Sequence, residues 1–315
     1  MASNIKKSDI KKARRVLKRL PVAVAIILVV LVVAYFILEQ FGFSIWSLIY
    51  KRDPVDGQVI IHIIDIGQGD SILIETSAGF MLIDAGESSE EDTLKQYLRK
   101  MGISTLSYLV LTHPHTDHVG GADMILEEFK VENIIYDNYN DSYGKKEFTE
   151  LVSLINTEGA NIVDPKQGDK FFMGDAEFTV LYATDDSESL SSDVNDYSIV
   201  LRLDYGESSF VFTGDATTAV EADIIETFSR FELDCDFLKS GHHGSTTSSG
   251  KKFIDILTPE IVAISCGEGN RYGHPHADVL ETYSKAKSTV YRTDLSGSLV
   301  FVSDGKTITY SNGEQ

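Results

Sequence analysis

The placement of histidine constrains this chain more than any other feature. Seven of the 8 histidines fall in three short groups: His113, His115 and His118; His242 and His243; His274 and His276. The first group closes an apolar run in LTHPHTDHVGG (residues 111–121), where three imidazoles and the Asp117 carboxylate precede Gly120 and Gly121. In extended or turning backbone His113 and His115 project to one side, while Asp117 and His118 turn toward a neighbouring position. Such nitrogen and oxygen donors suit a divalent zinc, manganese or iron ion. A surface His-rich loop is the plain alternative, but four ligand-type side chains at one strand end are hard to assemble without use. One ion would leave donors spare, so two are expected. Asp215, in FVFTGDA, ends another apolar strand and could bridge them, and His242 and His243, in DFLKSGHHGS, follow a third. Donors far apart in sequence, each just after a strand, call for a sandwich that gathers strand ends along one edge. The eighth histidine, His62, lies inside an apolar strand and reads as a core residue with a polar partner.

The rest of the pattern agrees. QVIIHIIDIG (58–67), SILIETS (71–77) and GFMLIDAG (79–86) alternate as strands across Gly-containing turns. EDTLKQYLRKMG reads as a helix stopped at Gly102, and LSYLVLT (106–112) as a buried strand. Further on, FTVLYA, YSIVLRLDYG and SSFVFTGD are strands, AVEADIIETFSRF is one helix, and DFLKS is a strand. A helix at 251–258, the strand IVAIS, a helix from Ala277 to about Lys287, and the strands TVYRT and SLVFVSDG complete the series. The Ser/Asp-rich stretch 184–197 reads as a loop. Strand clusters with helices in both halves predict an α/β fold of two packed sheets with helices outside. Hydrophobic residues at 43% can fill such a core, and two cysteines exclude a disulfide scaffold or a Cys-rich zinc site.

Charge divides the chain. Residues 1–20 carry eight Lys/Arg against Asp9 and form a basic segment expected in the cytoplasm. Val22 to Leu38 follows with no polar group but the Tyr35 hydroxyl, and Phe41, Phe43 and Trp46 lie beyond it. That run spans about 26 Å as a helix, near the hydrocarbon thickness of a bilayer. We read residues 21–40 as a single uncleaved membrane anchor, 41–57 as a juxtamembrane linker, and 58–312 as a folded domain outside the cytoplasm. The formal charge of -20 leaves residues 54–315 with 18 basic and 45 acidic residues, a net of -27. Such a domain does not present a broad nucleic-acid-binding surface.

The succession HxHxDH, TGD and HHGS resembles the metallo-β-lactamase-fold hydrolases. IDIGQGDSILI, LIDAG, NDYSIVLRL, FVFTGD, LKSGHHGS, YGHPH and TDLSGSLVFVSDG resemble, in order, the soluble hydrolase domain of ComEC-type DNA-uptake proteins, over about residues 58–308. The resemblance implies an αββα sandwich with a dinuclear metal site along one edge, and zinc is the expected ion, with manganese as the alternative. His113 and His115 would hold one ion, and Asp117 and His118 the other. Asp215 would bridge, and one of His242 and His243 would complete the second position, His243 by preference with His242 beside it. Asp84 would orient the ligand loop. Many proteins of this fold place a further histidine ligand between HxHxDH and TGD, whereas this chain has none from 119 to 241. The resemblance puts Asn195, a weaker donor, in that region.

Two bridged ions lower the pKa of a bound water from about 16 toward about 7 and polarise an electrophilic oxygen. Lys239 could neutralise charge on a phosphoryl group, as an alternative to an ordinary strand-end lysine. His276 could protonate a leaving group, with His274 as pocket wall or helix cap. Asp70, with Asp65 across the DIGQGD turn, could face the site. The reaction that the resemblance implies is phosphodiester hydrolysis, on DNA or an envelope polymer. The alternatives are β-lactam, amide or ester hydrolysis, and a non-catalytic metal-binding scaffold in DNA uptake or the envelope.

Overall fold

A computed structural model describes residues 54–137, 146–184 and 193–311, together with Val24, Ile27, Val29, Val30 and Val33. The chain divides into Met1–Lys51 and Arg52–Gln315. In the first unit the five described residues are helical and exposed. The anchor and basic segment read from sequence otherwise lie outside the described residues. Among those described, no helix is long and apolar enough to cross a membrane.

The second unit is built on strands β1 (Val59–Ile63), β2 (Ile72–Thr76), β3 (Gly79–Ile83), β4 (Thr105–Leu111), β5 (Lys130–Tyr136), β6 (Asn161–Val163), β7 (Lys170–Met173) and β8 (Ala176–Tyr182). They are followed by β9 (Val200–Tyr205), β10 (Ser208–Phe212), β11 (Phe237–Lys239), β12 (Ile261–Ile264), β13 (Thr289–Arg292), β14 (Leu299–Ser303) and β15 (Ile308–Ser311). One sheet runs β15-β14-β1-β2-β3-β4-β5-β6 and the other β13-β12-β11-β10-β9-β8-β7. Within each sheet one half is parallel, β3 to β6 and β10 to β13. Parallel neighbours need crossovers, and helices supply them.

Side-chain alternation makes three layers of core. Ile61, Ile63, Met81, Phe178, Phe210, Phe237 and Phe301 pack between the sheets. Leu82, Leu109 and Val131 face outward under helices Glu91–Lys100, Ala122–Glu128 and Lys146–Glu158. Val211, Leu238 and Val262 do the same under helices Thr218–Thr227, Lys251–Leu257 and Ala277–Ala286. This is the helix–sheet–sheet–helix sandwich expected from sequence. His62 takes the outward side of β1, with Nε2 2.7 Å from Glu75 Oε1 and Nδ1 2.9 Å from the Tyr97 hydroxyl.

Two expectations change. The first strand stops at Ile63 rather than continuing to Gly67, because the chain leaves the ladder to lay the DIGQGD turn against the histidine loop. There the Asp70 N–H donates to the Asp117 carbonyl at 3.1 Å, and a Cβ on Gly69 (φ +132) would stand 2.3 Å from that same oxygen. Only glycine fits this approach. The helix read as AVEADIIETFSRF breaks after Thr227, since Ser229 and Glu232 form a capping box that starts a separate turn at Arg230–Leu233. Strands β5, β6, β7 and β15 and the helices Ala122–Glu128 and Lys146–Glu158 add to the elements read from sequence.

Candidate metal centre

The donors come from the carboxyl ends of two adjacent parallel pairs. Asp84 follows β3 and the histidine loop follows β4 in one sheet; Asp215 follows β10 and His242–His243 follow β11 in the other. The loops on the second sheet are stitched together. The His242 N–H donates to the Gly214 carbonyl at 3.1 Å, the Thr218 N–H to Thr247 O at 2.9 Å, and Ser248 Oγ to Ala216 O at 2.7 Å. Buried Glu221 accepts the N–H groups of Ser249 and Gly250, which anchors the end of the same loop. Burial pushes its carboxyl up to about 7 despite those two donors.

Asp215 is the hub. Its Oδ1 lies 3.2 Å from His118 Nε2 and 3.7 Å from His243 Nε2, and its Oδ2 lies 3.5 Å from His242 Nε2 and 3.8 Å from His113 Nε2. Asp117 Oδ2 is 3.4 Å from His243 Nε2. Asp215 Oδ1, His118 Nε2 and His243 Nε2 are all buried and, among the described residues, approach one another without a hydrogen bond of acceptable geometry. Buried polar atoms without partners are costly. Three of them converging from separate loops fit a divalent cation, with Asp117 as the more open donor, its side chain 23% exposed. The residues present therefore suit the metal that the sequence implied. His115 adjoins the group, its Nδ1 3.1 Å from His113 Nε2.

Carboxylates stand behind the imidazoles. Asp84 accepts the His118 Nδ1–H at 2.7 Å, and also the Thr112 N–H at 2.8 Å and the Thr112 hydroxyl at 2.7 Å. Asp84 itself is at φ 58, a left-handed conformation that those three bonds hold. The His243 Nδ1–H donates to Ser265 O at 3.1 Å, with Asp70 Oδ1 beside it at 3.3 Å. Such partners fix the tautomer and leave Nε2 for the ion.

Lys239 requires a correction. It is fully buried, and its ammonium donates to Asp70 Oδ2 at 2.8 Å and Ser240 O at 3.1 Å. Two residues along from Phe237, it has that residue's inward parity, so it cannot meet substrate and acts through Asp70. His276 is held by the loops: its Nδ1 accepts the Thr246 N–H at 3.1 Å and its Nε2 faces Tyr272 O at 3.3 Å. His274 adjoins the histidine pair, its ring 5.6 Å from that of His242 and 6.2 Å from that of His243, and its Nδ1 is buried without a partner among the described residues. It caps no helix. Asn195 is buried in the turn Val194–Tyr197, its Oδ1 unpartnered, and Ser198 Oγ beyond it accepts the Asp215 N–H at 3.1 Å. The hydroxyls of Thr112 and Thr247 and the Glu221 carboxylate are the supporting groups that the sequence reading passed over. A threonine immediately before HxH was the available signal for the first.

The electrostatics follow. Burial would raise the Asp215 carboxyl, but the His118 and His243 imidazoles hold it well below the ordinary range. Burial likewise opposes ionisation of Asp70, and Lys239 and then His243 outweigh it. In His243 burial is overcome by Asp215 and Asp70, which push the imidazole up to about 9. Burial lowers His113 and His242, and it takes His274 down to about 4 with help from His243 and His242.

A sandwich whose parallel strand ends gather imidazoles around a shared carboxylate is an architecture suited to hold metal ions. Residues 64–268 match the Metallo-beta-lactamase superfamily, and the chain belongs to that family. Among its relatives, ComE operon protein 3 of Bacillus subtilis (strain 168) is 34% identical over 281 residues, 84% of this chain and 35% of that protein. Competence protein ComA of Neisseria gonorrhoeae is 31% identical over 255 residues, 80% of this chain and 33% of that one. Recombination protein 2 of Haemophilus influenzae (strain ATCC 51907 / DSM 11121 / KW20 / Rd) is 30% identical over 244 residues, 76% of this chain and 28% of that one. The chain thus spans about a third of the length of the curated relatives it matches. The resemblance to ComEC-type competence proteins read from sequence holds. The metallo-beta-lactamase fold protein YhfI from Bacillus subtilis, 13% identical, superposes with a TM-score of 0.54 over 78% of this chain and 99% of that one, which shows the fold.

Proposed function

We propose that this chain is a membrane-anchored phosphodiesterase whose catalytic domain faces outward from the cell, acting on a nucleic-acid end or an envelope phosphodiester. The observation that carries this reading is the convergence of unpartnered His118 Nε2, His243 Nε2 and Asp215 Oδ1 beside Asp117. Two divalent ions held there, zinc or manganese, would supply Lewis acidity and ionise water at neutral pH. The chain's own residues do the rest. Asp84 and Ser265 hold the Nδ1 protons of His118 and His243 so that both Nε2 atoms point to the hub. Arg271, exposed and donating to the Tyr272 hydroxyl at 2.6 Å, with the Tyr272 ring 5.6 Å from that of His274, would be a cation for a phosphate's remaining charge. The net -27 of residues 54–315 favours a short phosphodiester over a long polyanion track.

The full chain, loaded with zinc or manganese, is expected to hydrolyse bis-p-nitrophenyl phosphate and leave nitrocefin intact. DNA, RNA and teichoic-acid-like substrates then separate the two phosphodiester sources. Turnover of nitrocefin alone would select the lactamase reading, and turnover of neither would select a non-catalytic scaffold. Protease added to intact cells is expected to reach residues 54–315; complete protection would contradict the outward orientation.

A further inference from the structure

His242 is the member of the histidine pair that the second metal position does not need, and its geometry matches that of the three imidazoles around it. His118, His243 and His113 each direct Nδ1 to an acceptor behind them: Asp84 Oδ2 at 2.7 Å, Ser265 O at 3.1 Å and Thr112 Oγ1 at 3.1 Å. The Thr112 hydroxyl gives its own proton to Asp84, so it accepts from His113. The same logic fixes His242. Its Nδ1 lies 2.8 Å from Thr247 Oγ1, whose proton goes to Ser245 Oγ at 3.1 Å, so Thr247 accepts from His242 and leaves Nε2 bare. That Nε2 points at Asp215 Oδ2, 3.5 Å away, the oxygen approached by His113 at 3.8 Å.

The two oxygens of Asp215 therefore sort the imidazoles into two sets, His118 and His243 on Oδ1, and His113 and His242 on Oδ2. Consecutive left-handed residues achieve this, His242 at φ 47, ψ 48 and His243 at φ 55, ψ 22. Gly244 (φ +84) then lets the chain pass Pro275, which a Cβ would meet at 2.5 Å. A lone pair aimed at a carboxylate is repelled unless a cation lies between them.

We propose that His242 is a ligand of the first metal position, with His113, His115 and Asp215 Oδ2, in place of the histidine this chain lacks between 119 and 241. The proposal rests on the two-ion reading above. It is tested by metal content after reconstitution with zinc and by calorimetric titration with zinc, neither of which reads activity. The native chain is expected to hold two ions. His242→Gln is expected to keep one ion and lose the other, on the order of 100-fold or more in affinity, while His243→Gln loses the opposite position. Thr247→Val, which keeps side-chain shape but removes the orienting hydroxyl, should weaken the same position about 10-fold. Asn195→Ala should retain two. Two ions of unchanged affinity in both His242→Gln and Thr247→Val would overturn the assignment and leave the two-ion reading standing, as would loss of an ion in Asn195→Ala alone. A native chain that holds one ion would overturn both.

Discussion

Asp215→Ala is expected to abolish metal retention at both positions and to lower kcat by on the order of 1,000-fold or more. Among the described residues the carboxylate faces four imidazoles, His118 and His243 through Oδ1, His113 and His242 through Oδ2. Several kcal/mol of charge stabilisation pass through the ions it would hold, and each 1.36 kcal/mol is about tenfold in rate. The variant has a second signature without metal. Against burial, Asp215 and Asp70 hold His243 at about 9, above its ordinary 6.5. A histidine with a raised pKa stabilises the fold below 6.5, and that contribution is lost as pH rises through about 9. Metal-free native protein should therefore lose stability between those values, and metal-free Asp215→Ala should lose less. Metal must displace the same proton, so affinity should rise over the same interval. Denaturant unfolding and zinc titration at pH 6, 7.5 and 9 read both slopes; a slope unchanged by Asp215→Ala would contradict the hub.

Lys239→Met is expected to destabilise the metal-free chain by about 3–5 kcal/mol, the usual cost of leaving one buried charge without its partner. Lys239 and Asp70 are both buried at a 2.8 Å separation, and methionine fills much of the lysine stem's volume without its charge. Adding Asp70→Asn should restore part of the loss, because the stranded carboxylate is then gone. Urea unfolding checks both. A loss below about 1 kcal/mol in the single variant would mean that the pair does not hold the DIGQGD turn to β11.

Lys239 also shows where sequence stopped. Its position at a strand end was legible, but the face was not: register with Phe212 and parity with Phe237 turn it between the sheets, toward Asp70 in a turn 169 residues away. Asp70 was singled out only as a residue that could face the site, because a DIGQGD turn looks the same on a surface as against a metal loop. The donors themselves were readable. HxHxDH, TGD and HHGS each follow an apolar strand, and only a fold that aligns strand ends gives those positions a common use. The tethers on Thr112, Thr247 and Ser265 were not readable, since a hydroxyl or carbonyl acquires that role only when the loops meet. The same holds for Asp215 Oδ2 as the meeting point of His113 and His242, which depends on two left-handed residues that no composition announces. The helix break at Ser229 was local and legible in principle, as Ser229 with Glu232 is a capping-box pattern.

The proposed dinuclear metal centre gathers the strand ends of two sheets around Asp215. Metal analysis of the full chain, reconstituted with zinc and freed of excess, tests it most directly. Two ions per chain are expected, with protons released as they bind. Retention of no ion, with the fold intact by circular dichroism, would contradict it.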